Sequence, residues 1–190
     1  MDSFCDRMPV LLVDTREQKP LRFSHLQAEP ATLYTGDYSV KGLEECFAVE
    51  RKSLADLAGS LTRDRARFMR ELHRLRGYQF PYLLAIGDDM ELSRLIAQGR
   101  LKLQQVEHSL RAIESRCRVH VARAYNEEQA ARLVETWAFC AWREVMKPAG
   151  VSLPFPDWVE GILCRRANRP LLAGQIINDM EGGSHESKCC

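Results

Sequence analysis

The chain has 190 residues, of which 45% are apolar, and this predicts one globular domain with a short appendage. No apolar run is long enough to span a membrane, and residues 1–6 are acidic without the apolar segment of a secretory signal. The seven cysteines are scattered without a Cys-x-x-Cys pair, which excludes the common zinc sites and favours free thiols in a reducing, intracellular compartment. The formal net charge of +1 excludes no class of partner by itself.

Apolar runs and helical periodicities alternate through most of the chain. Residues 9–13 end at Asp14 and predict a buried strand, whereas residues 18–32 hold two prolines and predict a loop. Further strands are predicted at residues 32–38, 46–52, 82–86 and 119–122. Helices are predicted at residues 53–76 (interrupted near Gly59), 90–98, 102–116 and 126–146. This alternation is typical of one α/β domain, which we place at residues 1–147.

The pattern changes after Lys147, because prolines and glycines become frequent. We predict a C-terminal extension over residues 148–190, with one short helix at residues 157–166 and another near residues 171–179. The last ten residues are rich in glycine and serine and predict a disordered tail that carries the vicinal cysteines Cys189 and Cys190.

Charge is unevenly distributed along the domain. Residues 51–76 hold eight basic and three acidic residues, and residues 94–123 hold seven and two. Residues 27–50, in contrast, hold five acidic residues and one lysine. An acidic segment flanked by two basic segments is the pattern expected of a metal-dependent enzyme that acts on a polyanion, although charged helix faces are also common as solvated surfaces.

Two carboxylates and a lysine lie in this acidic segment at a spacing with chemical meaning. In a strand, residues two apart face the same side, so Glu50 and Lys52 are expected to face one pocket while Arg51 faces away. Gly36 is expected to form a turn that aims Asp37 into the same pocket. Two carboxylates bind a hard divalent cation, and an ammonium beside it orients an attacking water. This arrangement suits hydrolysis of a phosphodiester.

Three strings in the same order and spacing resemble the nuclease domain of the XPF/MUS-type structure-specific endonucleases: Val13-Asp14-Thr15-Arg16-Glu17, Gly36-Asp37-Tyr38, and Glu50-Arg51-Lys52 with Asp56. The resemblance covers residues 8–147. It implies a restriction-endonuclease-like fold, with a central mixed sheet flanked by helices, and Mg²⁺-dependent cleavage of DNA near a branch or junction. Family members usually add paired helix-hairpin-helix modules for dimerisation and duplex binding. Residues 148–190 show no clear counterpart, so a dimer or a partner protein is the expected source of a DNA-binding module.

Residues near the first predicted strand are further candidates for the active site. Asp14 ends a buried strand, where a carboxylate needs a metal or hydrogen bonds, and we expect it to join Asp37 and Glu50 as a ligand, with turn capping as the alternative. Glu17 is expected either to contact the metal through water or to lie in an exposed loop. Arg16 is expected either to bind a phosphate or to pair with an acidic residue of the site.

Other residues of the motif have structural interpretations. Arg51 is expected to form a structural ion pair, and Asp56 to stabilise the start of a helix capped by Ser53. Tyr34 and Tyr38 are expected to pack in the protein rather than stack on DNA. Trp137 and Trp142 lie on an otherwise apolar helix and predict a core or helix-docking surface.

A basic stripe follows the acidic segment. Its four arginines share one face of the predicted helix, opposite an apolar stripe, and are the best candidates for DNA contacts beyond the pocket: Arg63, Arg67, Arg70 and Arg74. A solvated helix face is the alternative interpretation.

The sequence therefore predicts an endonuclease with Mg²⁺ as cofactor, for which Mn²⁺ can substitute, acting on flap or fork DNA in repair or recombination. It is expected in the cytoplasm or nucleoid of a bacterium or phage system, or in a eukaryotic nucleus. One alternative is a non-specific or restriction-type nuclease of a mobile element. The other is a catalytically silent DNA-binding or scaffolding subunit, against which the complete motif argues.

Overall fold

The computed structural model describes residues 8–100, 102–147, 150 and 154–159. These residues form a six-stranded mixed sheet with helices on both faces, which confirms the predicted fold class. The strands are β1 (Leu11–Asp14), β2 (Ala28–Ala31), β3 (Tyr38–Val40), β4 (Phe47–Ser53), β5 (Phe80–Ile86) and β6 (His120–Ala124). The helices of the described residues are α1 (Leu54–Leu61), α2 (Arg65–Leu75), α3 (Asp89–Ala97), α4 (Leu103–Cys117) and α5 (Glu127–Met146).

The strands are arranged in the order β2-β1-β3-β4-β5-β6. Strands β4, β5 and β6 are parallel, as are β1 and β2, whereas β3 is antiparallel to both of its neighbours. Strand β4 is therefore hydrogen-bonded on both sides and lies in the interior of the sheet. A strand held in this way has a fixed register, and its side chains are fixed to one face or the other.

The two faces of the sheet bury separate apolar clusters. Ala48 of β4 packs in the cluster beneath α1–α4, whereas Phe47 and Val49 pack in the cluster beneath α5. Because successive strand residues point to opposite faces, Glu50 and Lys52 lie on the α1–α4 side. The polar half of β4 thus continues the alternation that its apolar half establishes.

Helix α1 begins as the sequence predicts. The Ser53 hydroxyl accepts the Asp56 N–H at 3.0 Å and donates to the Asp56 carboxylate at 2.7 Å. Such a cap is worth about 1 kcal/mol of helix stability. The helix is interrupted three residues later than expected, because Thr62 closes a turn on Gly59 and its hydroxyl donates to the Ala58 carbonyl at 2.8 Å.

The predicted strand at residues 32–38 is wrong. Residues 32–33 are irregular, residues 34–37 form bends, and β3 begins only at Tyr38. The Leu33 N–H donates to the Asp14 carboxylate instead of a neighbouring strand, and Gly36 has a left-handed φ of 81° that interrupts an extended chain. Residues 28–31, predicted as loop, form β2. This is an edge strand with exposed residues, where Pro30 is tolerated.

The long connection between β1 and β2 is anchored by Glu135 of α5. This carboxylate is fully buried and accepts the N–H groups of Ser24, His25 and Leu26 at 2.9, 2.6 and 3.0 Å. All three hydrogen bonds reach Oε1 and offset part of the cost of burying this carboxylate, whereas Oε2 has no hydrogen-bond partner among the described residues. The loop that leads towards the site is therefore held against the helix behind the sheet.

Two smaller predictions are confirmed. Trp137 is buried and stacks on Tyr82 with ring centroids 4.3 Å apart, and Trp142 packs at the edge of the same cluster. Three cysteines of the described part of the chain form no disulfide: Cys46, Cys117 and Cys140. The other four lie outside it.

The predicted extension lies almost wholly outside the described residues. Of the helix predicted at residues 157–166, only residues 157–159 are described, and they are helical. The helix predicted near residues 171–179 and the tail lie outside. No helix within the described ranges is long and apolar enough to cross a membrane.

Gly36 provides a test of how tightly the turn before Asp37 is packed. A Cβ at Gly36 would lie 2.9 Å from the Val49 carbonyl oxygen, whereas a Cβ at Gly42, with a similar φ of 84°, would meet nothing within 4 Å. Both alanine variants incur left-handed strain of about 1–2 kcal/mol. Gly36→Ala should lose a further 1–3 kcal/mol, roughly, from the backbone contact.

Urea unfolding of the two variants measures this difference in the free energy of unfolding. Equal losses for Gly36→Ala and Gly42→Ala would contradict the close approach of the turn to β4.

Candidate active site

Asp37 is fixed by the backbone of its neighbouring strands. Its N–H donates to the Val49 carbonyl at 2.8 Å, and its carbonyl accepts the Asp14 N–H at 2.9 Å. Its carboxylate accepts the Arg51 N–H at 2.7 Å. The turn at Gly36 therefore delivers Asp37 beside the polar half of β4, as the sequence predicts.

The carboxylates of Asp37 and Glu50 repel each other. Burial, followed by the negative charge of Glu50, raises the pKa of Asp37 to about 7, although the Arg51 N–H opposes this shift. Glu17 contributes in the same direction as Glu50. Negative charge is thus concentrated where solvent is restricted, and a cation that neutralises it would be bound favourably.

Lys52 supplies part of that neutralisation. Its Nζ lies 2.8 Å from Glu50 Oε1 and 3.4 Å from Glu71 Oε2, and it stands 5.2 Å from the centroid of the Phe68 ring. Burial alone would lower the pKa of Lys52, but Glu50 and Glu71 outweigh it and raise this pKa above its usual value. The side chain is therefore a positioned ammonium, not a neutral base.

Glu71 is a site residue that the sequence analysis missed. It lies on α2 with its side chain only 16% exposed, and it pairs with both Lys52 and Arg67. The available signal was its i, i+4 spacing from Arg67 on α2, which follows β4 and α1. That spacing predicts a surface ion pair, whereas the contact with Lys52 depends on how α2 packs on the sheet.

The Asp14 carboxylate accepts four hydrogen bonds, all from Arg16 and Leu33. Its Oδ1 accepts the backbone N–H and Nε of Arg16 at 2.8 and 2.7 Å, and its Oδ2 accepts Arg16 Nη2 and the Leu33 N–H at 2.9 and 2.8 Å. The hydrogen bonds from Arg16 lower the pKa of Asp14 to about 2, although burial opposes this. Arg16 therefore pairs with an acidic residue, one of its two expected roles.

The hydrogen bonds of Asp14 keep it out of the expected set of metal ligands in this structure. In the described part of the chain, no three His, Cys, Asp or Glu side chains come together as a group that could hold a metal ion. Asp14 does not join Asp37 and Glu50 in such a group, because its oxygens face Arg16 and Leu33. The roles of Asp37, Glu50 and Asp14 as ligands stay predictions, and Asp14 would have to release Arg16 to act as one.

Arg51 points to the opposite side of the sheet from Lys52. Its guanidinium donates to the Lys19 carbonyl at 2.8 Å and lies 3.4 Å from both Glu17 and Glu127. This is the environment expected of a structural ion pair. Glu17 also accepts the Lys19 N–H at 2.8 Å, and its side chain is only 12% exposed, so its interpretation as an exposed loop residue is wrong.

A cleft of about 280 Å³ opens next to Lys52, between α1 and α2. Two arginines of the predicted basic stripe, Arg63 and Arg67, line it together with Asp56 and Glu71. Arg63 lies in the turn before α2, so the prediction that all four arginines share one helix is wrong for this residue. Arg70 and Arg74 are exposed on α2 but do not line the cleft. Arg100, which follows α3, lines it too, so the second basic segment of the sequence meets the first at this cleft.

The two tyrosines have opposite environments. Tyr38 is fully buried, and its hydroxyl accepts the Leu21 N–H at 3.1 Å, so the expectation of packing is confirmed. Tyr34 is 85% exposed, so the same expectation is wrong for it. The difference arises because residues 32–37 form a bent segment, in which only Leu33 and Thr35 of the alternating positions turn inward.

Comparison with known proteins agrees with this fold. Residues 13–136 match the model of the ERCC4 domain family. The match spans more than half of the chain, and the chain therefore belongs to the ERCC4 domain family, which is the XPF-type nuclease family that its motifs resemble. No curated protein sequence gives a significant match.

Solved structures show the same fold. XPF from Aeropyrum pernix superimposes with a TM-score of 0.56 at 20% identity, over 88% of this chain and 70% of that chain. XPF from Aeropyrum pernix in complex with DNA gives a TM-score of 0.56 at 21% identity, over 84% and 82% of the respective chains. At these identities the likeness establishes the fold, and the chemistry must be argued from the residues.

The raised pKa of Asp37 predicts a pH dependence of stability in metal-free protein. In the unfolded chain this carboxyl titrates near its ordinary value of 3.8, and in the folded protein near 7. Its contribution to stability is fully present below the lower value and is lost as the pH rises through the higher one. The free energy of unfolding of the wild type should therefore fall, relative to Asp37→Asn, between pH 4 and 7.

Urea unfolding in EDTA across this pH range provides the measurement. Parallel pH profiles for the wild type and Asp37→Asn would contradict a raised pKa of Asp37.

Proposed function

We propose that the chain is a metal-dependent DNA endonuclease that hydrolyses phosphodiester bonds. The observation that carries the proposal is the placement of Asp37, Glu50 and Lys52 on one face of the sheet in a member of the ERCC4 domain family. Two crowded carboxylates and an adjacent ammonium are suited to a reaction in which negative charge develops on a phosphate.

The carboxylates fit a hard divalent cation. Asp37 and Glu50 would hold Mg²⁺, or Mn²⁺ in its place, and Asp14 would contribute if Arg16 releases it. Burial, followed by the negative charge of Glu50, raises the pKa of Asp37, and a bound cation would relieve the repulsion between the two carboxylates. All proposed ligands are oxygens, which disfavours Zn²⁺. When bound, the metal polarises the phosphate and lowers the pKa of a coordinated water.

Lys52 is proposed to orient the attacking water and to stabilise charge on the scissile phosphate. Its ammonium is held between Glu50 and Glu71, so little conformational freedom remains to be lost when DNA binds. Glu17 is proposed to contact the metal through a water molecule, since its negative charge also raises the pKa of Asp37.

Branched DNA with a single-strand to double-strand junction is the proposed substrate, in repair or recombination. The basic stripe of Arg63, Arg67, Arg70 and Arg74 is proposed to bind the phosphate backbone, because two of its members line the cleft beside Lys52. A second copy of the chain or a partner protein is proposed to add a DNA-binding module. The proposed location is intracellular: cytoplasmic or nucleoid in a bacterium or phage system, nuclear in a eukaryote.

Cleavage of a panel of linear, flap, fork and four-way DNA substrates tests the substrate class. Cleavage confined to the branched members supports the proposal. Equal cleavage of all members would favour the non-specific or restriction-type alternative, and binding without cleavage in Mg²⁺ would favour a silent DNA-binding subunit.

Three substitutions test the catalytic residues. Asp37→Asn and Glu50→Gln remove negative charge from the proposed metal site, and Lys52→Ala removes the cation beside the phosphate. Each should lower the cleavage rate by about 10²-fold or more with DNA binding retained, because each removes an interaction made with the developing charge. Cleavage rates in Mg²⁺, with EDTA as the metal-free state, provide the measurement.

A matched control comes from Lys41, whose Nζ also lies 2.8 Å from a glutamate, Glu29, but whose side chain is 60% exposed. The Lys41→Ala variant should cleave DNA at the wild-type rate. Wild-type cleavage by Lys52→Ala, or full activity of the unmodified protein in EDTA, would exclude the proposed mechanism.

The basic stripe is tested by the salt dependence of binding. Replacing Arg67 and Arg70 together with alanine should weaken DNA binding and reduce the slope of log affinity against log salt by up to about 2, because each arginine that binds a phosphate adds about 1 to the slope. Sequence preference should not change, since phosphates carry no base information.

Fluorescence anisotropy with labelled duplex over a range of salt concentrations provides the measurement. Arg132→Ala serves as the control, since Arg132 pairs with Glu128 on α5, across the sheet. An unchanged slope in the double variant would assign the stripe to a solvated helix face.

A further inference from the structure

Tyr34 is the most exposed large apolar side chain among the described residues, with 85% of its surface in solvent. Single exposed apolar residues are common, so exposure alone has no functional meaning. What sets Tyr34 apart is that a rigidly held backbone presents its ring to solvent.

That backbone is fixed on both sides of the ring. Leu33 is buried, its N–H donates to Asp14 Oδ2 at 2.8 Å, and its carbonyl accepts Arg16 Nη2 at 2.7 Å. Thr35 is also buried, and Gly36 packs against the Val49 backbone. An aromatic ring on a fixed segment loses little conformational freedom when it contacts a ligand, which makes it an efficient binding group.

Arg16 places a cation beside the same segment. Its Nε and Nη2 hold Asp14 and the Leu33 carbonyl, and within the described structure its Nη1 makes no hydrogen bond. The side chain is 68% exposed. Asp14 chiefly, and then Asp37 and Glu50, raise the pKa of Arg16, so this guanidinium lies within electrostatic reach of the carboxylate pair.

The ring also lies close to the candidate active site along the chain. Tyr34 precedes Asp37 by three residues, and three residues span at most about 11 Å. A DNA strand of a few nucleotides is therefore long enough to contact the Tyr34 ring, the exposed edge of the Arg16 guanidinium and the carboxylate pair.

We propose that Tyr34 and Arg16 form a subsite for one unpaired nucleotide beside the candidate active site, in which Tyr34 stacks on the base and Arg16 binds an adjoining phosphate. The subsite deepens the proposed function and rests on it. In a duplex both faces of each base are covered by its neighbours, so only an unpaired nucleotide offers a free face to the ring. The subsite thus selects DNA with a single-stranded segment at the cleavage site.

The experiment measures binding of a labelled single-stranded oligonucleotide in EDTA, by fluorescence anisotropy, with normal bases and with abasic sites. Tyr34→Ala should weaken binding of the normal oligonucleotide by about 5- to 100-fold, whereas Tyr34→Phe should retain affinity because stacking does not require the hydroxyl. Removing the bases should weaken binding by the wild type but not by Tyr34→Ala. Met90→Ala, which removes another side chain that is 69% exposed, should bind as the wild type does.

Equal affinity of Tyr34→Ala and the wild type, or an equal loss of affinity on base removal in both proteins, would overturn the subsite. Absence of single-strand binding by the wild type would overturn it too. Failure of the proposed function is seen separately, as absence of cleavage in Mg²⁺. Because the Tyr34 ring is exposed, the melting temperature of Tyr34→Ala should match that of the wild type, which separates loss of binding from loss of folding.

Discussion

The burial of the Asp37 carboxylate near that of Glu50 is the constraint on which the candidate site depends. Burial, followed by the negative charge of Glu50, disfavours the ionised form of Asp37 and raises its pKa. The fold maintains the pair through an interior strand, a glycine turn that only a residue without Cβ fits, and an ammonium at 2.8 Å from Glu50. A site that is unfavourable without a cation is also one that binds a cation well.

Strand β4 divides its polar residues between two tasks. Lys52 faces α2, where Glu71 and Phe68 hold its ammonium beside Glu50. Arg51 faces α5 and ties the chain after β1 to that helix through Glu17 and Glu127. Because strand residues alternate, Lys52 and Arg51 are neighbours in sequence but lie on opposite faces of the sheet.

Local patterns explain which features the sequence predicted well. Alternation placed Glu50 and Lys52 together, and the spacing of Ser53 and Asp56 marked the start of α1. Features that depend on distant packing were missed. The contact of Glu71 with Lys52 requires α2 to fold back over β4, and the pairing of Asp14 with Leu33 replaced a predicted strand by a bent segment. Strand β2 was not predicted, because an exposed edge strand has no alternation of apolar and polar residues.

Calorimetric titration of metal-free protein with Mn²⁺ at pH 7, in buffers of different ionisation enthalpy, tests most directly whether the crowded carboxylate pair is a cation site. Because the carboxyl of Asp37 has a pKa of about 7, it is partly protonated there, and a cation that binds the pair must displace that proton. We predict one Mn²⁺ per chain, a buffer-dependent enthalpy that reports proton release, and the loss of both in Asp37→Asn. Equal Mn²⁺ binding by the wild type and Asp37→Asn, or binding without proton release, would contradict this role of the pair.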